Sequence, residues 1–315
     1  MRDRFDVVTF GEAMVLLIAD QPGPLDQVDR FHKRTAGAET NVAIGLARLG
    51  LSVSWASRLG CDSMGRYLLR SIQAEGVDCS QVLEVTDAPT GMMMKGKVLD
   101  GSDPPIEYHR SGSAASRMTP ADIDEDWLLS ARHLHATGVF AGVSAGCFEV
   151  VRQAMSLMRA AGRTISFDPN LRPALWSSPE AMRRGINELA SMADWVLPGL
   201  EEGRLLTGLQ SPEEIAGFYL DRGARLVVLK LGAEGAYFDN GRERGRVPAC
   251  RVESVVDTVG AGDGFAVGVV SGLLEGLELP QAIARGAWIG AQAVQVVGDT
   301  EGFPSRAALL AAQGA

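Results

Sequence analysis

The sequence predicts an α/β fold: a mostly parallel central sheet flanked by helices on both faces, with a small inserted β-sheet lid. Three observations lead there. Short β-prone runs alternate with stretches of helical apolar spacing over most of the 315 residues. Two segments break that rhythm with β-like runs and no helix between them. A composition of 46% hydrophobic and 22% charged residues supplies a large core and excludes a disordered chain.

The core strands are expected at Asp6–Phe10, Val53–Arg58, His133–Thr137, Thr164–Phe167, Trp195–Leu197 and Leu226–Leu231. Between them, Val42, Ile44, Leu46, Ala47 and Leu49 form one helix face ahead of Gly50, a C-terminal stop. Gly65–Ala74, Cys147–Ala161, Pro179–Met192 and Pro212–Arg222 repeat the helical spacing, and helix-rich sequence runs from Gly262 to the end. Strands and helices alternating in this way put a parallel sheet under two helical layers. The irregular segments, 14–36 and 89–111, hold Met14–Ala19, Thr90–Leu99 and Ile106–Arg110. These are expected to pair as antiparallel strands into a lid, leaving 1–13, 37–88 and 112–315 for the core.

Thirty basic against 39 acidic residues give a net charge of −9. With no Lys/Arg run, neither nucleic acid nor an anionic membrane is an expected partner. The N-terminus lacks a signal-peptide stretch and no run reaches about 18 apolar residues, which predicts a cytoplasmic protein. Cys61, Cys79, Cys147 and Cys250 form no CxxC pair and read as buried, reduced thiols. An acidic protein that handles anions must concentrate positive potential locally.

The strongest local signal is Asp257-Thr-Val-Gly260-Ala261-Gly262-Asp263-Gly264-Phe265-Ala266, between the β-prone run Arg251–Val256 and a helical stretch. Small residues there let backbone N–H groups converge, and the following helix adds its positive end, so the turn suits an anion. A carboxylate inside such a turn fits a group acting on a proton beside a phosphate, and Asp263 is placed to orient an attacking hydroxyl. On spacing alone, an ordinary Gly-rich turn with Asp263 as helix cap stays open.

Residues 257–268 resemble the C-terminal signature of the ribokinase-like (PfkB) carbohydrate kinases. Ala36-Gly37-Ala38-Glu39-Thr40-Asn41 resembles their N-terminal sugar-binding turn, with Ala-Gly for the usual Gly-Gly, and Lys230-Leu-Gly232-Ala-Glu-Gly235 their nucleotide-binding strand and loop. The resemblance implies a ribokinase-like fold, ATP and Mg²⁺ as co-substrates, and phosphorylation of a sugar hydroxyl. A monovalent cation such as K⁺ near Asp257 is left open. Asp263 and Arg172 would be catalytic with the Gly260, Ala261 and Gly262 turn. Asn170, Lys230, Gly232, Gly235, Gly260 and Gly262 would face the nucleotide. Glu202 would act on Mg²⁺ through water, although the Asn of that family motif is Gly199 here.

Three further stretches resemble the 2-keto-3-deoxygluconate kinases: Phe167–Trp176, Glu107–Ala114 and Gly298-Asp299-Thr-Glu-Gly302. By that resemblance Gly37, Asn41, Tyr108, Arg110, Arg172, Asp263 and Asp299 meet a sugar acid, and Arg110 and Arg172 supply donors for its carboxylate. Met93 and His109 stand where the subfamily often has Tyr, which keeps 2-ketogluconate open as substrate. A neutral-sugar kinase and a non-catalytic sugar-acid sensor are weaker alternatives. Open lid edges predict a homo-oligomer.

Several features are decoys. Gly91–Val98 nearly spells a P-loop but ends in Val98 and reads as strand. His133 and His135 share a strand face with no third ligand and read as a structural pair. Arg242–Arg246 reads as a solvated hairpin turn, and Glu12 is left between a surface and a functional role.

Overall fold

Val7, Val8 and Phe10 open the chain as a β-prone run with almost no exposed surface, and such a run satisfies its backbone only inside a sheet. The computed structural model describes residues 3–98 and 104–313. Its strands are β1 (Phe5–Phe10), β2 (Met14–Ala19), β3 (Phe31–Ala36), β4 (Val53–Gly60), β5 (Asp78–Val85), β6 (Met92–Lys95) and β7 (Ile106–His109). They continue with β8 (Ala131–Thr137), β9 (Thr164–Asp168), β10 (Trp195–Val196), β11 (Leu226–Lys230), β12 (Ala236–Asp239) and β13 (Arg244–Val247).

Nine of these form one sheet in the order β13-β12-β11-β10-β9-β8-β1-β4-β5, parallel except for the hairpin edge β11-β12-β13. One face packs on Val150, Met155, Ile186 and Ile215 from helices Ala145–Ala160, Pro179–Ala190 and Pro212–Leu220. The other packs on Ile44, Leu68, Val267 and Ile283 from helices Ala38–Arg48, Ser63–Ala74, Ala261–Leu274 and Leu279–Ala293. Burial on both faces is what the continuous apolar strands require. The remaining strands form a second sheet, β3-β2-β6-β7, whose inner face carries Met14, Leu16, Ile18, Ala36 and Met93.

Four expectations need correction. The centre of the small sheet is not antiparallel: β2 and β6 run parallel, Val15 opposite Met92, and only the outer pairs are antiparallel. Both central strands leave the core in the same direction, after Gly11 and after Gly91, so they share a heading. Arg251–Val256 forms no strand, because the amides of Val256 and Asp257 find only the Val294 carbonyl beyond the helix Leu279–Ala293, and no strand lies beside them. Arg244–Arg246 belongs to edge strand β13, with the turn itself at 240–243; exposed charge suits a sheet edge. Cys61 and Cys250 are exposed, whereas Cys79 and Cys147 are buried.

The run expected over Thr90–Leu99 contracts to β6, and Leu99 to Asp103 lie outside the described residues. Lys97 opens no helix, so the near P-loop is a strand and its exit. His133 and His135 are buried against Thr164 and Ser166, with His133 stacked on Trp195 at 4.7 Å between ring centroids. Burial and the nearby Lys230 charge push His135 down to about 3, a neutral core residue. Among the described residues no helix is long and apolar enough to cross a membrane.

Candidate active site

A cavity of about 410 Å³ opens at the C-terminal ends of the parallel strands, under the small sheet. Its floor is the helix Ala261–Leu274. Gly260 precedes that helix at φ +80°, and a side chain there would drive a Cβ to 2.9 Å from the Asp299 carbonyl carbon. Only glycine permits both the backbone and the approach. The approach seats the 298–302 loop against the helix N-terminus. The amides of Gly262 and Asp263 make no hydrogen bond among the described residues, and Gly262 lines the cavity. Ala261 donates only a long 3.5 Å bond to Thr258. These free donors and the helix dipole provide positive potential, and the Lys230 ammonium adds to it, 3.7 Å from where a Cβ on Gly262 would stand.

Asp263 is the third residue of the helix, not its cap, and its carboxylate turns into the cavity. Asn41 donates to Asp263 Oδ2 at 2.8 Å and to Asp299 Oδ2 at 3.3 Å, while Asn170 reaches Asp263 Oδ1 at 3.3 Å. Burial raises the Asp263 pKa, opposed by the Asn41 bond and by the Lys230 and Arg172 charges. Burial and the Asp263 charge push Asp299 up to about 7, and its Oδ1 is buried without a partner. Two carboxylates share one amide here, so they titrate as a linked pair.

Opposite them, Lys230 donates to Asp168 at 2.7 Å. Burial raises Asp168 to about 6, with Lys230 pulling it down and Glu202 pushing it up. Asp168 also accepts from the Asn170 amide at 3.1 Å, a turn that holds Asn170 at φ +38°, the one non-glycine residue at positive φ among the described residues. Glu202 accepts from the amides of Gly199 and Leu171, both at 2.7 Å. Gly199 thus takes the helix-capping position by its backbone, without the Asn side chain of the family motif.

The cavity brings together Gly37, Asn41, Tyr108, Arg110, Asn170, Arg172, Glu202, Lys230, Gly260, Gly262, Asp263 and Asp299. Gly232 and Gly235 lie outside its walls, in the turn after Lys230 where the Leu231 amide bonds the Gly235 carbonyl at 2.8 Å. Met93 lines the cavity and is buried, whereas His109 is exposed on the lid edge. Of the two guanidinium groups expected to supply donors for a carboxylate, one already has a partner. Arg110 pairs with Glu12, which also accepts from Ser113 at 2.5 Å. Glu12 lies just before β2 and Ser113 just after β7, so this buried cluster staples the first and last crossings into the lid. The Arg110 Nε is buried with no partner, so the group keeps a donor. Arg172 has no carboxylate partner among the described residues and bonds only the Leu171 carbonyl at 2.9 Å.

Sequence reasoning gave no role to Asp168, although it sits inside the Phe167–Trp176 stretch. A carboxylate two residues before Asn170 at a strand end was the available signal. Glu39, buried and pushed up to about 7 by its burial, bonds Thr137 beneath the site; nothing in a single sequence marks it as buried.

Residues 4–306 match the pfkB family of carbohydrate kinases. The chain belongs to that family. It is 50% identical over 314 residues to a 2-dehydro-3-deoxygluconokinase of Bacillus subtilis, covering 98% of this chain and 97% of that one. A PfkB protein from Polaromonas sp. JS666 superposes with a TM-score of 0.91 at 64% identity, covering 98% and 99% of the two chains. An Escherichia coli chain described as Ribokinase II, in complex with ATP and Mg²⁺, superposes with a TM-score of 0.91 at 26% identity, covering 99% and 100%. The fold is therefore ribokinase-like, as its signature implied, and the protein is a carbohydrate kinase.

Proposed function

We propose that this kinase transfers the γ-phosphoryl group of ATP to a 2-keto sugar acid, 2-keto-3-deoxygluconate above others, giving the 6-phosphate. The observation that carries the reading is Arg172: a guanidinium with no carboxylate partner among the described residues, in the wall of the cavity that holds Asp263. Exposed at the cavity wall, such a guanidinium offers a bidentate donor pair to an anionic ligand and gains little from a neutral sugar. The 50% identity to a 2-dehydro-3-deoxygluconokinase, another name for the same activity, supports the choice of acid.

Asp263 accepts the proton of the primary hydroxyl as that oxygen attacks phosphorus. Burial raises its pKa and the Asn41 bond tempers the rise, which makes the carboxylate a stronger proton acceptor than an exposed one. The amides of the Gly260–Asp263 turn stabilise negative charge building on the transferred group, where fixed donors cost no reorganisation. Lys230, neutralised in part by Asp168 and standing beside Gly262, and Arg172 add their charges toward the phosphates. Tyr108 and Met93 close over the sugar and exclude water that would hydrolyse ATP. Gly232 and Gly235 shape the turn behind Lys230 on the nucleotide side.

The donor set fits Mg²⁺ carried on ATP. No group of three His, Cys, Asp or Glu among the described residues forms a protein-only cage, and Mg²⁺ binds through phosphates, waters and one or two carboxylates. Asp168 and Glu202 would hold its waters. The ion when bound neutralises the β- and γ-phosphate oxygens.

Met93 removes an aromatic hydroxyl from the sugar wall, which favours a second reading, 2-ketogluconate, with its extra hydroxyl at C3. We also propose a homo-oligomer paired through the free edges of β3 and β7. ADP release measured across 2-keto-3-deoxygluconate, 2-ketogluconate, ribose and fructose tests the substrate. The expected result is a kcat/KM for the acids about a hundredfold or more above that for the neutral sugars, lost in Arg172→Gln. A preference for ribose or fructose would overturn the reading.

A further inference from the structure

Lys95 belongs to β6 in the lid sheet, and Asp257 to the stretch that leads into the helix Ala261–Leu274. They are 162 positions apart in sequence, yet Lys95 Nζ lies 2.5 Å from Asp257 Oδ2. Side-chain exposure is only 4% for the lysine and 5% for the aspartate. Neither charge would be stable at that depth without the other.

Asp257 is more than half of an ion pair. Its Oδ1 accepts from the Val259 amide at 3.1 Å and its Oδ2 from the Gly298 amide at 3.3 Å. One carboxylate therefore holds the turn before Gly260 to the loop that carries Asp299. Arg34 of β3 makes a second, more exposed contact from the same lid face, to Glu301 of that loop at 3.0 Å. A cavity of about 580 Å³ runs between lid and core along the Lys95–Asp257 pair, and Thr258 lines both it and the active-site cavity. Lifting the lid would let water reach the pair from that side and separate it.

We propose that Lys95 is a positioning residue: the lid carries its ammonium to Asp257, and that charge orders the phosphate-binding turn. The inference rests on the kinase reading above. It assigns to the lid the counter-charge that a monovalent cation near Asp257 would otherwise bring. The Asp257 carboxylate already has a buried ammonium, so a K⁺ ion has no net charge to balance there, and the site does not fit one. Lid closure over the sugar and organisation of the turn then become one event. An ammonium on a four-carbon stem suits this role, since it delivers a compact charge from a distance and withdraws with its strand.

Two measurements test this. The first is ADP release with 2-keto-3-deoxygluconate in K⁺ and in tetramethylammonium buffers. Wild type should differ by less than about twofold, whereas Lys95→Ala should lose about tenfold or more in kcat and regain much of it with K⁺. A wild-type enzyme stimulated about tenfold by K⁺, or a Lys95→Ala variant within about twofold of wild type without K⁺, would overturn the proposal. The second uses wild type alone, so a variant that fails to fold leaves the test intact. Hydrogen exchange of residues 257–262 should slow on adding the sugar acid and be indifferent to K⁺. Slowing by K⁺ alone would overturn it. Because exchange needs no turnover, it separates failure of this inference from failure of the substrate reading, which would show as no ADP from any sugar acid.

Discussion

The side-chain amide of Asn41 donates to the carboxylate of Asp263 at 2.8 Å, across 222 positions of sequence. The helix Ala38–Arg48 presents the first group and the helix Ala261–Leu274 the second. Their meeting joins the turn at 36–41 to the turn at 257–263, and under the proposed function it sets Asp263 where sugar and phosphate come together.

That bond tunes the carboxylate proposed as the base. A carboxylate acting as a base must be ionised, so the acid limb of the kcat profile reports its pKa. The Asn41 bond lowers the Asp263 pKa against the raising effect of burial. Asn41→Ala should therefore move the acid limb to higher pH and lower kcat by about ten- to a hundredfold. An unmoved limb would mean that another group sets the profile. Asp263→Ala should abolish nearly all turnover while circular dichroism shows the fold retained.

Asp299 makes a prediction about stability. Its pKa rises from 3.8 to about 7 in the folded chain, because of burial and the Asp263 charge. The folded state thus holds a proton that the unfolded state releases, and stability falls as pH rises through that window. Asp299→Asn removes this loss while keeping an acceptor for Asn41. Its melting temperature should gain on wild type between about pH 4 and pH 8, by about 5 °C. Parallel melting curves at both pH values would contradict the assignment.

Gly268 ties packing to catalysis. A Cβ there would lie 2.6 Å from the backbone carbonyl carbon of Arg285, in the helix Leu279–Ala293 packed against the helix that carries Asp263. Gly268→Ala should force the two helices apart at a cost of about 1–3 kcal/mol, and lower the melting temperature by several degrees. Because the same helix carries Asp263, kcat should fall with it. Calorimetry showing wild-type stability would mean that the interface yields without cost.

The parallel strands and their covering helices followed from apolar patterning because each element advertises its buried face locally. The anion turn followed likewise, since Gly260, Gly262 and Asp263 adjoin in sequence and their backbone requirements are local. The misread elements lacked such local cause. β12 and β13 are short, and charge on an edge strand looks like a turn. The parallel pairing of β2 with β6 depends on where two distant strands leave the core.

The fold class and the family are written along the chain, because periodicity and contiguous motifs record them. How the charges of the cavity are shared came from the folded arrangement. It gave Arg110 a partner in Glu12, left Arg172 with no carboxylate partner among the described residues, bound Lys230 to Asp168, and sent Lys95 of the small sheet to Asp257. Electrostatic pairing depends on distance and burial in space, and residues more than sixty positions apart carry no mark of either along the chain.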